Sequence, residues 1–289
     1  MLKALLIGGT GTLGNALLPK LLKRGYIVSV LSRDELKQKN MKKKYPNVEF
    51  IIGDVRDRSS LDDAVFGCDV VFHLAAMKHV EVCEENIGEA LKINLLGTQN
   101  VVDACLAGGV NYAVFSSTDK AVLPINTYGF CKGLSERLWH DANRKQACLF
   151  TVFRWGNVIG SRGSVVHAFK ESIANENKAY ITDFDMTRFW IHIDDAASFM
   201  IDNYKYKNDN SVYIPPMKAA KVSKIARAVA IHLGVDDLKF EKIPIRSGEK
   251  MHEWLDFQDP DFEIKSNTCP QYSDDEILEI VARVLNDLK

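Results

Sequence analysis

The chain has 289 residues with 37 Lys+Arg against 38 Asp+Glu, a formal net charge of −1, and is 46% apolar and 26% charged. That length suits one large domain plus a smaller lobe, and the ordinary globular composition carries no charge excess that would point to nucleic acid or an anionic membrane surface. Six cysteines (Cys68, Cys83, Cys105, Cys131, Cys148, Cys269) show no C-x-x-C pair and no metal-ligand spacing. They read as reduced thiols of a cytoplasmic protein without a bound metal. The opening run, MLKALLIGG, is too short for a signal peptide, and no stretch approaches a membrane span. The basic run over residues 37–44 reads as a solvated helix end.

Residues 2–7 form a short apolar run, followed at once by Gly8-Gly9-Thr10-Gly11-Thr12-Leu13-Gly14 and a helical pattern over residues 13–24. Strand, glycine turn, helix is the order a phosphate cradle needs. Gly8 permits the tight turn, Gly11 lets the backbone approach a pyrophosphate, and Gly14 lets the helix pack near the strand with its first N–H groups facing the anion. Thr10, Thr12 and Leu13 belong to the same loop. A glycine-rich loop alone is weak evidence; the strand before it and the helix after it make it a candidate dinucleotide site. A second strand over residues 26–31 ends at Ser32-Arg33-Asp34. There an acidic residue would hold the ribose 2′-hydroxyl of NAD and a basic one the 2′-phosphate of NADP. Ser32, Arg33 and, a turn later, Lys37 favour NADP; Asp34 keeps NAD open. A third strand over residues 48–52 delivers Asp54 and Val55. Asp54 is placed either to bind an adenine amino group or to cap a helix over residues 59–66.

The fourth strand, residues 70–74, opens into Ala75-Ala76-Met77-Lys78-His79. Small residues let a cofactor pass close, and Lys78 and His79 fall at the rim of a cleft outside the strand ends. A lone histidine is more often structural than functional. A helix is expected over residues 84–107, and Asn94 in its middle needs a buried partner. The chain's most telling stretch is residues 114–132, where an apolar strand ends in Ser116, Ser117 and Thr118 and is followed by Asp119-Lys120 and Tyr128-x-x-x-Lys132. Four apart on a helix over residues 128–144, Tyr128 and Lys132 project from one face. An ammonium beside the phenol would favour phenolate and bring Tyr128 down towards working pH, as an acid/base for a sugar hydroxyl. A Y-x-x-x-K pair is common by chance; its place behind a hydroxyl-ended strand gives it weight.

After a strand over residues 149–154 the regular alternation fades. A loop at 160–164, a helix at 165–175, a strand at 187–192, a helix at 194–204, the segments 221–233 and 243–253 and a terminal helix at 274–288 are expected to build a smaller lobe. The expected organisation is α/β. A doubly wound parallel (Rossmann) sheet spans residues 1–156, with 187–210 returning to it, and an interleaved substrate-binding lobe spans 157–289.

In order, GGTGTLG, SRDELKQ, GDVRD, LAAMKHVE, NLLGTQNV, SSTDKAVLPINTYGFCK, RWGNVIGSRGSV, MTRFWI and IRSGEKMHE resemble the extended short-chain dehydrogenase/reductases. Within them they look like the inverting UDP-N-acetylglucosamine 4,6-dehydratases of flagellar and capsular sugar biosynthesis. Asp119-Lys120 and SRDELKQ carry the branch, because retaining dehydratases have Asp-Glu and simple 4-epimerases have neither. The chain departs at Cys131, where Ser or Ala is usual, at His167, where proline is common, and in lacking the membrane-spanning extension of longer relatives.

The resemblance implies a redox-neutral lyase that keeps NADP bound and acts on a UDP-sugar. Tyr128, with Lys132, would take the 4-hydroxyl proton as hydride leaves C4. Lys120 would remove the C5 proton once burial lowers its pKa, and a protonated Asp119 would donate to the leaving 6-hydroxyl. Thr118 and Ser117 would hydrogen-bond the 4-oxygen, and Asn94 would order the site. Lys78 is implied at the cofactor and substrate, Arg188 and Arg246 at the diphosphate, and Asn157 and Glu249 at the UDP-sugar. A homo-oligomer, dimer or hexamer, is implied as well. Two other readings compete: a nucleotide-sugar 4- or 5-epimerase using the same Tyr and Lys, and a non-catalytic NADP(H)-sensing protein, a class that commonly loses that pair.

Overall fold

Short, fully apolar strands alternate with helices that bury one face, and this alternation builds the first of two units. The computed structural model describes residues 1–161, 163–206, 212–259 and 262–287. Arg162, residues 207–210 of the expected returning segment and Leu288 of the expected last helix lie outside them.

In chain order the elements begin β1 (Lys3–Ile7), α1 (Thr12–Lys23), β2 (Ile27–Ser32), α2 (Glu35–Lys44), β3 (Glu49–Ile52), α3 (Arg58–Val65) and β4 (Val70–His73). Then follow α4 (Val80–Glu85), α5 (Ile87–Ala90), a π-helical segment (Leu91–Leu96), α6 (Gly97–Ala107), β5 (Tyr112–Thr118), a 3₁₀ turn (Asp119–Ala121), α7 (Thr127–Asn143) and β6 (Leu149–Trp155). The second half holds β7 (Asn157–Ile159), α8 (Val165–Glu176), β8 (Lys178–Ile181), β9 (Thr187–His192), α9 (Ile193–Asn203), β10 (Val212–Tyr213) and β11 (Lys218–Lys221). It ends with α10 (Val222–His232), β12 (Lys239–Lys242), β13 (Trp254–Asp259), β14 (Phe262–Lys265) and α11 (Asp274–Asp287).

One compact unit comprises Met1–Arg154 and Ala197–Tyr213. Its seven-stranded sheet has the order β10-β6-β5-β4-β1-β2-β3. The pairs β1–β2, β2–β3, β1–β4, β4–β5 and β6–β10 are all parallel. Strand order reverses between β1 and β4, and ligands of doubly wound sheets sit in the crevice beyond the strand ends at that point. Leu5, Ile7, Val71, Phe115, Trp139 and Phe150 are in the core that holds the sheet.

The other unit comprises Trp155–Ala196 and Ile214–Lys289. Its three-stranded sheet, β11-β9-β7, is parallel between β7 and β9 and antiparallel between β9 and β11. β9 is buried at all six positions, because α8, α10 and α11 bring Phe169, Ile225, Val229 and Val281 into one core with Trp190. That packing places residues 187–192 in this unit, so the segment returning to the first unit starts at Ala197, ten residues later than the sequence suggests. No helix among the described residues is long and apolar enough to cross a membrane.

The helix expected over residues 84–107 is not continuous. It breaks at Asn86 and passes through the π-helical segment before α6 begins. The cause is tertiary: the Asn94 carbonyl accepts from Thr98 Oγ1 at 2.7 Å and from Ser135 Oγ of α7 at 2.8 Å, so side-chain hydroxyls engage it.

Candidate active site

The glycine loop after β1 has the close approaches its residues promise. Gly8 sits at φ +81°, and a Cβ there would lie 2.7 Å from the Ala75 nitrogen, so the loops after β1 and β4 touch at the strand-order reversal. A Cβ on Gly14 would meet the Gly9 oxygen at 2.2 Å. Asn15 stitches the turn by donating to the Thr10 and Gly11 carbonyls at 3.1 and 2.8 Å. α1 starts at Thr12 with Gly11 at its N-cap and no side-chain cap, leaving its N-terminal dipole facing the loop. A backbone cradle that any side chain would fill, at an uncapped helix start, fits the pyrophosphate of a dinucleotide.

At the end of β2, Gln38 donates to the Ser32 carbonyl and hydroxyl, both at 3.0 Å, and to the Ile51 carbonyl at 2.7 Å, tying β2 to β3. Asp34 caps α2 through the Lys37 amide at 2.9 Å and pairs with the Lys37 ammonium. Arg33 is 56% exposed at its side chain, 3.6 Å from Asp54. Asp54 does not cap α3; Asp57 does, accepting from the Ser59 amide. Asp54 is instead gripped by Arg56, which donates to it from its backbone, Nε and Nη2 at 2.7–3.1 Å. Burial pushes the Asp54 carboxyl up, but the Arg56 hydrogen bonds and the two guanidinium charges outweigh it and hold the group below the usual range.

In the loop after β4, Met77 is clamped at both backbone groups by buried Asn94: its N–H donates to Oδ1 at 2.8 Å and its carbonyl accepts from Nδ2 at 2.9 Å. Asn94 thus finds the partner its burial requires, on the strip that begins with Ala75 and Ala76. Lys78 and His79 are exposed.

The hydroxyls at the end of β5 lie deeper than the pattern suggested, since the strand runs on through Thr118. Asp119, in the 3₁₀ turn, is fully buried, and accepts on Oδ1 from Thr118 Oγ1 and from Lys120 Nζ, each at 3.0 Å. α7 begins against this turn. Asn126 caps it through the Gly129 amide at 2.7 Å, and Glu84 of α4 takes the Thr127 amide at 2.6 Å.

Tyr128 and Lys132 are both buried on that helix, but they do not relate as the spacing suggests. Lys132 Nζ donates to the Ser116 carbonyl at 2.7 Å and lies 4.1 Å over the centroid of the Phe115 ring. Burial pushes the Tyr128 hydroxyl up to about 12, opposed by the Lys120 charge and a Thr118 hydrogen bond and reinforced by Asp119. The expectation that Lys132 lowers Tyr128 is not met: desolvation wins, and the cation that pulls the other way is Lys120. Burial also pushes Lys132 down to about 7, with Glu136 opposing.

In the second unit the structure gathers three of the four residues expected at the nucleotide. Buried Arg188 donates to the Thr187 and Met251 carbonyls and reaches Glu249 at 3.3 Å, while the Arg246 amide donates to Glu249 at 3.4 Å. Asn157 stands on β7 opposite Trp190 of β9.

Sequence reasoning overlooked Glu136, Arg154 and His73, all buried near β5 and α7. Glu136 is four residues past Lys132, so the same face that linked Tyr128 to Lys132 carried the signal. His73 stacks on Phe115 and Trp139 and bonds Thr98 at 3.0 Å; burial pushes it down to about 3. No cluster of ligands among the described residues could hold a metal ion.

Residues 4–271 match the profile described as polysaccharide biosynthesis protein. The chain belongs to that family. Its sheet is that of the extended short-chain dehydrogenase/reductases. It is 42% identical over 257 residues to a protein of Campylobacter jejuni named UDP-N-acetylglucosamine 4,6-dehydratase (inverting), covering 86% of this chain and 75% of the relative. It is 38% identical over 265 residues to a Rickettsia bellii protein named UDP-glucose 4-epimerase, covering 88% and 77%. Among solved structures, Pen from Bacillus thuringiensis superposes with a TM-score of 0.91 at 31% identity over 98% of this chain and 97% of that one. The Thermus thermophilus UDP-glucose 4-epimerase, solved with NAD, gives 0.77 at 25% identity, covering 86% and 88%.

Proposed function

We propose that this chain removes water from UDP-N-acetylglucosamine to give a UDP-4-keto-6-deoxy sugar inverted at C5. The observation that carries the reading is the Asp119–Lys120 pair in the 3₁₀ turn, one acid buried and one amine 20% exposed, beside Tyr128. A 4-epimerase needs only one acid/base at O4; a second acid and a second base within the same turn are what loss of water from C5 and C6 requires. The Campylobacter relative at 42% identity supports the same choice.

Tyr128 takes the 4-hydroxyl proton, with Thr118 hydrogen-bonded to it and Lys132, a turn further along α7, completing the pair. A bound nicotinamide would supply the carbon that takes up hydride from C4 and gives it back at C6. Lys120 removes the C5 proton that the 4-ketone has acidified, and Asp119 gives a proton to the departing 6-hydroxyl, which leaves as water. A proton delivered to the opposite face of C5 completes the inversion. Gly8, Gly11 and Gly14, with Thr10, Thr12 and Leu13, would hold the pyrophosphate; Asp54, Val55, Ala75, Ala76, Lys78 and Asn94 would line the rest of the cofactor. Arg188, Arg246, Asn157 and Glu249 bind the UDP end and Ser117 supports the 4-oxygen.

The cofactor we assign is NADP. Arg33 stands exposed at the end of β2, while Asp34, the residue a ribose diol would need, is engaged as the α2 cap and by Lys37. A homo-oligomer fits the exposed apolar side chains Phe130 and Leu134 on α7 and Leu91 and Leu96 in the π-helical segment. Six cysteines without a disulfide support a cytoplasmic setting.

Mass analysis of the nucleotide sugar after incubation with UDP-N-acetylglucosamine tests the reading. A product lighter by one water supports it; a product of unchanged mass with the 4-epimer present overturns it in favour of the Rickettsia-type activity.

A further inference from the structure

Behind the reacting groups lies a buried ion pair that the chemistry above does not use. Glu136 and Arg154 are 6% and 8% exposed. Arg154 of β6 donates Nη2 to Glu136 Oε2 at 2.7 Å and Nε to Oε1 at 3.1 Å. Ser117, next to Thr118 at the end of β5, donates to the same Oε1 at 2.5 Å. Glu136 also stands four residues after Lys132, on the same buried face of α7. One carboxylate thus joins three elements that carry the site: the end of β5, the helix of Tyr128 and Lys132, and β6.

We propose that Glu136 is a positioning residue: countered by Arg154, it keeps Lys132 an ammonium in its dry setting and holds Ser117 at the strand end. A buried ion pair between residues this isolated from water is costly to keep, and a well-packed apolar pair would serve stability as well. Here it stands on the same buried helix face as Lys132, an amine that burial draws towards its neutral form. The titratable groups around Lys132 come from three elements among the described residues. On α7, Glu136 and Cys131 act on its charge; from β4, His73 is held neutral by burial; the 3₁₀ turn carries Asp119 and Lys120, which pair with each other. Glu84 of α4 is engaged by the Thr127 amide, and Arg154 of β6 is engaged by Glu136. Glu136 is therefore the carboxylate on the lysine's own helix face that sustains its charge, and burial alone drives the other way.

The role given to Lys132 rests on the dehydratase reading, so the test includes a measurement that needs no substrate. In protein labelled with ¹³C at lysine Cε, with NADP bound, Lys132 is assigned by its loss in Lys132→Met and titrated by NMR. The proposal expects the wild-type midpoint near neutrality, and a midpoint at least about one pH unit lower in Glu136→Gln. Glu136→Gln leaves Arg154 uncountered and can destabilise the fold, so Glu136→Gln/Arg154→Met is titrated too. It restores the balance of buried charge, and its Lys132 midpoint should still fall. The alkaline limb of the pH–rate profile on UDP-N-acetylglucosamine should move down with the midpoint in both variants. Midpoints that coincide with wild type in both variants, or a limb that returns to its wild-type position in the double variant along with stability, would overturn the proposal. A wild-type protein that does not act on UDP-N-acetylglucosamine would sink the dehydratase reading while leaving the NMR titration to decide this one.

Discussion

Gly129 lies so close to Lys120 that a Cβ built on it would sit 2.2 Å from the Lys120 carbonyl oxygen. The first turn of α7, which carries Tyr128, is in this way seated directly on the turn that carries Asp119 and Lys120. A methyl group there has to push the two apart. Gly129→Ala is expected to cost about 1–3 kcal/mol of stability and at least about 100-fold in turnover, since displacements near 1 Å misalign reacting groups. A variant with wild-type turnover would show that this seating does not set the geometry.

The roles proposed for Lys120 and Tyr128 are separable. Lys120→Ala is expected to stop water loss, by about 10²–10⁴-fold, yet leave C4 oxidation possible, so that reduced cofactor accumulates on addition of substrate. Tyr128→Phe should show no reduced cofactor. Near-ultraviolet absorbance of the bound nicotinamide in single-turnover mixtures distinguishes the two; if both variants stay oxidised, Lys120 serves the first step too.

Arg33 is the cofactor discriminator in this account. Arg33→Ala should weaken NADP binding by about 1.5–3 kcal/mol, the worth of a charge-assisted contact, and leave NAD binding nearly unchanged. Calorimetric titration of both cofactors checks it, and equal losses would remove the assignment to NADP.

His73 predicts a pH dependence of stability. Its folded-state value is about 3 and the ordinary one 6.5, so between those limits the unfolded chain binds a proton that the native chain refuses. Stability should therefore fall as pH drops below about 6.5, with a slope from this group near 1.4 kcal/mol per pH unit and a total of about 5 kcal/mol by pH 3. Lys132, at about 7 when folded, is protonated in both states over the lower part of that window and adds a small slope of the same sign only near its top. Replacing His73 by Phe keeps an aromatic ring against Phe115 and Trp139; urea unfolding at several pH values should show a flatter profile in that variant than in wild type. Parallel profiles would mean that His73 is protonated in the native chain.

What could be read from the sequence was local. Apolar run, glycine turn and helix at the N-terminus, the strand that delivers Thr118, and the Tyr128/Lys132 helix all follow from short-range pattern; the helices and β1 appear within a residue or two of their expected places, and β5 runs three residues further. What could not be read depended on partners distant in the chain. The break around Asn94 needs Ser135 of α7, and the aim of Lys132 needs the Ser116 carbonyl and the Phe115 ring. That Asp54 does not cap α3 depends on Arg56 and Arg33, which claim its carboxylate. Short strands such as β8 with β12 and the β13–β14 hairpin gain their identity from pairing rather than from any run of β-forming residues.

The most direct test of the central claim, that this site breaks the C5–H and C6–O bonds rather than only turning over C4, is the reaction with UDP-N-acetylglucosamine in deuterated water followed by NMR. The account predicts a 4-keto-6-deoxy product carrying one solvent deuteron at C5, with C5 inverted and the C6 methyl formed with the hydride taken from C4. A sugar that keeps its 6-hydroxyl and its original C5 hydrogen while exchanging configuration at C4 would contradict it.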